Sequence, residues 1–162
     1  MKASKLILML LICMLAIQPI SAQSRSERKA QIEREVKKAV DSQQYKIDVN
    51  HMLPMKGSSR SLTADYSLEV RNDSVFSYLP YFGEAYNIPY GGGKGLIFNA
   101  PISEYKTRHL KKGKVQIDFK VNNEEDRYGY SLTVYPNGST SIHIQPMNRQ
   151  AISFTGEINI KK

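Results

Sequence analysis

Hydrophobic and polar residues alternate along most of the chain after Tyr45, with the two-residue period of β-strands. In residues 115–121, for example, every second position is Val, Ile or Phe, and the positions between them are Gln, Asp or Lys. The same alternation recurs in residues 45–49, 64–70, 128–134, 142–144 and 152–160. Each segment has one apolar and one polar face. Antiparallel pairing is therefore predicted, because strands of parallel sheets are usually buried on both faces.

Sequences typical of tight turns separate the predicted strands. Asn137-Gly138 is a strong hairpin signal, and residues 71–74 and 111–114 have the composition of two further turns. About eight or nine strands, spaced about 4.8 Å apart, form a sheet too wide for one helix to cover. The predicted fold class is therefore mainly β: a rolled antiparallel meander of about eight strands, either a small barrel or a two-layer sandwich, with one N-terminal amphipathic helix.

The helix is predicted just before the first strand. Ser24 and Glu27 have the spacing of a capping box, and Ile32, Val36 and Val40 recur on one face. A helix from about 26 to 44 would dock its narrow apolar face on the sheet, either plugging one end or flanking one side. We divide the chain into a leader (1–22), an N-terminal helical segment (23–44) and an antiparallel β domain (45–162).

The leader has the pattern of a cleaved secretory signal peptide. Lys2 and Lys5 precede an apolar run over residues 6–17, which ends in Gln-Pro-Ile-Ser-Ala. The run is shorter than the roughly twenty residues that a membrane-spanning helix needs, and no later segment is long enough. We expect a mature chain that begins at Gln23, has no transmembrane span and is periplasmic or secreted.

Composition narrows the chemistry of such a mature chain. The only cysteine, Cys13, lies in the leader, which excludes disulfides and thiolate catalysis. The three histidines have no metal-ligand spacing, and His143, between two strand isoleucines, is expected on a polar face. We predict no cofactor and no metal site. The net charge of +8 favours acidic surfaces, but nucleic acid is not an expected partner of an exported protein.

The alternation fails between Phe76 and Pro101, where aromatic, proline and glycine residues concentrate. Aromatic faces in such a loop can bind a sugar or an apolar ligand. The candidate ligand-binding residues are Tyr78, Tyr81, Phe82, Tyr86 and Tyr90. The alternative is that these rings close the open end of the rolled sheet as core residues. The glycine run 91–93 is predicted to be a flexible hairpin tip, because Lys94 lacks the Ser or Thr that follows it in a phosphate loop.

Charged residues form no recognisable catalytic pattern. The acidic run 124–126 is predicted to be a solvated turn, and the basic residues between 106 and 114 to block edge-to-edge strand pairing. A hydrolase of envelope polymers would have to draw its carboxylates from scattered positions, which are Glu84, Glu104, Asp118 and Glu157. We therefore predict no catalytic residues.

Two segments resemble a known family. Leu79-Pro80-Tyr81-Phe82-Gly83 and the segment 149–158, Arg-Gln-Ala-Ile-Ser-Phe-Thr-Gly-Glu-Ile, resemble the bacterial family called domain of unknown function 4251. The resemblance covers nearly the whole chain. It implies an exported envelope protein with a mainly β fold, and it brings no activity or functional residue.

The sequence thus predicts an exported, noncatalytic envelope protein. The first hypothesis is that it binds a ligand or partner, such as a glycan, a lipid or an envelope protein, through the aromatic loop from Tyr78 to Tyr90. The second is a structural subunit that docks on other envelope proteins through its charged helix or an exposed sheet edge. A hydrolase is the remaining alternative.

Overall fold

The computed structural model of the protein describes residues 24–87 and 94–160. The leader, Tyr90 and the glycine run 91–93 lie outside the described residues. In the described residues one α-helix, α1 (Arg25–Asp41), precedes nine strands. The strands are β1 (Gln44–Pro54), β2 (Arg60–Ser61), β3 (Ser67–Arg71), β4 (Ser74–Leu79), β5 (Leu96–His109), β6 (Val115–Asn122), β7 (Arg127–Val134), β8 (Ser139–Pro146) and β9 (Ile152–Ile158).

Eight of the strands form a closed antiparallel barrel. From β3 to β9 each strand pairs with the next along the chain, and β1 pairs with both β3 and β9, which closes the ring. The short strand β2 pairs only with His51 and Met52 of β1. The predicted antiparallel meander is confirmed, and of the two predicted architectures the protein adopts the barrel.

The barrel interior contains the hydrophobic core. In β6 and β7 every second residue is buried, as the alternation predicted. Aromatic rings stack inside: the ring centroids of Phe119 and Tyr130 are 4.8 Å apart, and so are those of Phe98 and Tyr128. Burying one such large side chain contributes roughly 1.5–3 kcal/mol, so the alternating strands provide most of the stability.

The seam between β1 and β9 closes the barrel and is irregular. The register shifts between Val49 and His51, so one extra residue bulges out of β1 and both Val49 and Met52 are buried. Opposite the bulge, a Cβ on Gly156 would lie 3.0 Å from the Asp48 carbonyl carbon and from the Val49 Cα. Glycine is needed there because the two backbones approach closely.

Helix α1 covers one end of the barrel. Its capping box is formed as predicted: the Glu27 amide donates to Ser24 Oγ (3.2 Å) and the Ser24 amide to Glu27 Oε2 (2.9 Å). Val36 and Val40 are buried, and Val36 packs against the β7–β8 turn at Gly138. The helix ends at Asp41 instead of Gln44, because Gln43 adopts a positive φ of 52° and β1 begins directly after it.

The antiparallel order gives the barrel two unlike ends. The helix end contains α1 and the β3–β4, β5–β6 and β7–β8 turns. The loop end contains the described parts of the four other connections, which are residues 55–66, 80–87 with 94–95, 123–126 and 147–151. The described part of the predicted aromatic loop therefore lies at the loop end, opposite the helix, and begins with Tyr78 near the end of β4. In the described part of the chain, no helix has the length and apolar character to cross a membrane.

Candidate binding surface

A buried arginine holds two connections of the loop end together. Arg149 is 5% exposed; its Nη2 donates to Glu125 Oε2 at 2.8 Å, and its Nε lies 3.9 Å from Asp126 Oδ2. Among the described residues, Nε has no hydrogen-bond partner. Glu125 and Asp126 belong to the β6–β7 turn, so the ion pairs of Arg149 connect this turn to the β8–β9 connection. A buried guanidinium is stable only where negative charge of this kind lies nearby.

Asp126 is the buried partner in this cluster. Its carboxylate accepts hydrogen bonds from the backbone amides of Arg127 (2.7 Å), Met147 (3.2 Å) and Asn148 (3.2 Å), and from the Asn148 side chain (3.2 Å). The interpretation of residues 124–126 as a solvated turn is therefore wrong for Asp126. The buried Asp126 carboxylate is tolerated because the hydrogen bonds from these amides replace the hydrogen bonds to water that it loses on burial.

The first part of the aromatic loop is anchored on the same connection. The Tyr81 hydroxyl lies 3.1 Å from the Glu84 carbonyl oxygen and 3.0 Å from that of Gln150. The Gln150 amide donates to the Glu84 carbonyl (2.9 Å), and the Tyr86 amide donates to the Asn148 carbonyl (2.8 Å). Burial raises the pKa of the Tyr81 hydroxyl despite the opposing effect of the nearby Arg149 charge, so the hydroxyl stays a donor. This part of the loop therefore has a defined conformation.

The predicted binding residues do not converge on one pocket. Tyr81 is half-buried, with its ring centroid 5.7 Å from the Arg149 guanidinium carbon. The side chains of Tyr78, Phe82 and Tyr86 are exposed at 49%, 44% and 68%. The core interpretation thus describes Tyr81 best, whereas the other three rings remain accessible. Tyr90 is outside the described residues.

Two of the accessible rings rest on neighbours from the β1–β3 connection. Tyr78 stacks on Tyr66 with ring centroids 5.5 Å apart. The Arg60 guanidinium carbon lies 4.0 Å from the centroid of the Phe82 ring, which is a cation–π geometry. Each ring is therefore held with one face against the protein and the rest of its surface in solvent.

Exposed large hydrophobic side chains concentrate at the loop end. Of the eight in the described residues, only Leu110 lies at the helix end. The seven at the loop end are Leu53, Met55, Tyr78, Phe82, Tyr86, Ile97 and Met147. Concentrated apolar exposure of this kind marks interaction surfaces, whereas single exposed residues need no explanation.

Two open grooves flank the first half of β5. One has a volume of about 350 Å³ and is lined by residues of β3, β4 and β5, including Tyr78. The other has a volume of about 450 Å³ and lies between β5 and the β6–β7 turn. Both grooves are lined by Lys94, Ile97, Phe98 and Asn99.

The carboxylates considered for a hydrolase are spread over the surface. Glu84 pairs with Lys56 (3.0 Å), Glu104 with Lys120 (2.8 Å) and Asp118 with Arg108 (2.8 Å), while Glu157 lies on β9. No group of three His, Cys, Asp or Glu side chains that could hold a metal ion occurs within 24–87 and 94–160. His143 is exposed on β8, as predicted, with Nδ1 3.0 Å from Ser153 Oγ.

Acidification is expected to destabilise the fold partly through Glu125. Burial raises the pKa of this carboxyl, but the Lys94 amide and the Arg149 guanidinium outweigh it, so the folded-state pKa is lowered. A lowered pKa stabilises the fold above the unfolded-state value and this stabilisation is lost as pH falls through the folded-state value. The free energy of unfolding should therefore decrease below about pH 5, the upper end of the titration range of an unfolded Glu.

Urea unfolding of the wild type and Glu125→Gln at several pH values would check this expectation. The variant should be less stable at pH 7 and should lose less stability between about pH 5 and 3. Identical pH dependence of the two proteins would contradict a role for Glu125.

Comparison with known proteins agrees with the architecture. The model of the DUF4251 family, described as a domain of unknown function, matches residues 27–158. A crystal structure of a DUF4251 family protein from Bacteroides eggerthii DSM 20697 aligns with a TM-score of 0.60 and 19% sequence identity, covering 80% of this chain and 87% of that one. At this identity the likeness concerns the fold. A search of curated proteins finds no match. The resemblance seen in the sequence is confirmed, and the chain belongs to the DUF4251 family.

Proposed function

We propose that this protein is an exported, noncatalytic module that docks a partner protein through the loop end of its barrel. The observation that carries the proposal is the unequal distribution of exposed large hydrophobic side chains: of the eight in residues 24–87 and 94–160, seven lie at the loop end. Water disfavours such a surface, and covering it with a partner would release that cost. The signal-peptide pattern of residues 1–22 supports export.

A macromolecular partner fits this surface better than a small ligand. Small-molecule sites are concave and bury most of the ligand. Here the exposed rings of Tyr78 and Phe82 rest on different neighbours, Tyr86 is 68% exposed, and the grooves beside β5 are open. A broad partner surface can contact several separate side chains at once, whereas a single sugar or lipid headgroup cannot.

The loop end is also rigid enough to bind without a large ordering cost. The buried Arg149 cluster and the hydrogen bonds of Tyr81 hold the connections that present Phe82, Tyr86 and Met147. Preorganisation of this kind favours affinity because less conformational entropy is lost on association. The same contacts support a noncatalytic role, since the carboxylates of Glu125 and Asp126 are already bound by Arg149 and by backbone amides.

Site-specific photo-crosslinking in the native host tests the proposal. A benzophenone amino acid would replace Phe82 at the loop end or, as the control, Leu110 at the helix end; these side chains are 44% and 42% exposed. We expect a discrete protein adduct from position 82 and none from position 110. The adduct from position 82 should decrease when Tyr86 is changed to Ser, a surface change that should alter stability by no more than about 0.5 kcal/mol.

Equal adducts from the two positions, or an adduct from position 110 alone, would contradict docking at the loop end. A rise in the thermal midpoint with purified envelope glycans or lipids, abolished by Tyr78→Ala, would instead assign the surface to a small ligand.

A further inference from the structure

Strand β5 changes its pairing partner halfway along its length. Residues 96–101 pair with β4, from Ser74↔Pro101 to Leu79↔Leu96. Residues 102–109 pair with β6, from Ile102↔Val121 to His109↔Val115. In the described residues, the first half of β5 therefore has a strand on one side only. The pairings of β5 still close the ring of strands, but the described residues leave an opening between residues 96–101 and the end of β6.

This opening, which we call the β5 gap, lies between residues 96–101 and residues 122–125. It coincides with the groove of about 450 Å³. At one end the gap is closed by the Lys94 amide, which donates to Glu125 Oε1 at 2.9 Å. Phe98 is half-buried in the gap and stacks on Tyr128 inside the barrel. The gap thus combines an apolar side chain with an open strand edge.

Backbone groups of β5 face the gap. The Ile102 amide donates to the Asp73 carbonyl on the β4 side. Successive amides of a strand point to opposite sides, so the Asn99 amide and carbonyl face away from β4 and into the gap. The Ile97 amide also faces that way but donates to the Lys94 carbonyl at 3.2 Å. Pro101, which has no amide hydrogen, is a residue typical of a strand edge.

The two halves of β5 differ in how their edges are protected. Residues 102–109 include Glu104, Lys106, Arg108 and His109, and charged side chains discourage pairing with another chain. Residues 96–101, Leu-Ile-Phe-Asn-Ala-Pro, include no charged residue. The half of β5 that lines the gap therefore lacks the charged side chains that discourage strand addition and has Pro101 only at its end, whereas the other half carries several charges.

We propose that the β5 gap receives an extended segment of the partner protein as an added strand beside residues 96–101. This inference rests on the proposed function and names the form in which the partner binds. Backbone hydrogen bonds to Asn99 would supply affinity, and an apolar side chain of the segment would contact Phe98. The charged residues that line the groove are Lys94, Glu124 and Glu125, whose formal charges sum to −1, so the groove favours a segment that also carries Lys or Arg.

A labelled synthetic peptide of seven residues, acetyl-Lys-Val-Lys-Val-Lys-Val-Lys-amide, is a suitable probe because it is just long enough to span the six residues 96–101, about 20 Å of strand. Its binding to the full mature protein would be followed by fluorescence anisotropy. Two variants isolate the backbone contact: Asn99→Pro removes the side chain and the amide donor, and Asn99→Ala removes the side chain alone. We expect about tenfold weaker binding to Asn99→Pro, little change for Asn99→Ala, and weaker binding to Glu124→Lys.

A second peptide with alternate amides N-methylated tests the same contact on the unmodified protein. It should bind at least tenfold more weakly, and this comparison decides the matter if Asn99→Pro does not fold. Equal binding of the two peptides, equal binding to the Pro and Ala variants, or no binding of the first peptide would overturn strand addition. Sedimentation would show whether the protein self-associates and whether the peptide reverses that association. Such a result would assign the gap to a second copy of this chain and overturn the proposal that a partner protein occupies it.

The crosslinking experiment separates this inference from the proposed function. An adduct from position 82 without peptide binding would leave docking at the loop end intact and remove strand addition. The absence of both the adduct and peptide binding would contradict docking at the loop end as well as strand addition.

Discussion

Replacing Arg149 with leucine is expected to lower the free energy of unfolding by about 3–5 kcal/mol, the range for removing one partner of a buried ion pair. The Asp126 side chain, which is 0% exposed, would lose its nearby positive charge, while its backbone amide donors would remain. Leucine roughly fills the volume of the arginine stem, so the loss would report mainly on the charge. Equilibrium urea unfolding at pH 7 measures the change directly.

The same substitution at Arg108 provides the control. Arg108 pairs with Asp118 at 2.8 Å, but the two side chains are 63% and 32% exposed. Pairs of this kind contribute at most about 1 kcal/mol, since water screens both charges. Similar losses for Arg149→Leu and Arg108→Leu would show that the buried cluster has no special structural role.

Replacing Gly156 with alanine is expected to cost about 2–3 kcal/mol, as overpacking of a well-packed interior does. The added Cβ would meet the Asp48 carbonyl group and the Val49 Cα, all of them backbone atoms that have no alternative rotamer. Relief would require β1 and β9 to separate at the seam that closes the barrel. Urea unfolding measures the loss, and hydrogen exchange of the β1 amides should show where the structure loosens.

Gly129→Ala is the matched control, because Gly129 also lies within a strand. A Cβ there would lie no closer than 3.8 Å to the Gln145 carbonyl oxygen, an ordinary contact. We expect a change within about 0.5 kcal/mol, typical of a position with room for the new methyl group. If the two glycine variants were equally stable, the close approach at the β1–β9 seam would not be a constraint.

The loop end shows which features of a site are visible in a sequence. The break in alternation predicted an irregular segment between Phe76 and Pro101, and residues 80–87 do lie outside the strands, because composition and period are local properties. The prediction was wrong at both ends of this segment: residues 77–79 belong to β4 and residues 96–101 to β5. The sequence could not tell that Tyr81 turns inward while Phe82, its neighbour, is exposed. That difference arises from hydrogen bonds to Gln150, a residue far along the chain.

The buried cluster was missed for a similar reason. Three consecutive acidic residues predicted a solvated turn, yet Asp126 is buried and accepts hydrogen bonds from the amides of Met147 and Asn148. One signal was available: Arg149 and Gln150 come shortly before the apolar strand β9, and polar or charged residues in such positions need partners when buried. Neither the spacing nor the charge of the acids indicated which partner each would find.

The sequence by itself determined that this protein is an antiparallel, mainly β fold with one capped helix, because alternation, turn residues and capping boxes act between residues close in the chain. The tertiary structure decided the closure of the barrel, the buried charges and the unpaired half of β5. Closure depends on β1 meeting β9 across a bulge and a glycine, with partners about a hundred residues apart in the chain. Contacts over such separations leave no periodic pattern in a single sequence, so only the folded chain reveals which backbone and side-chain groups meet.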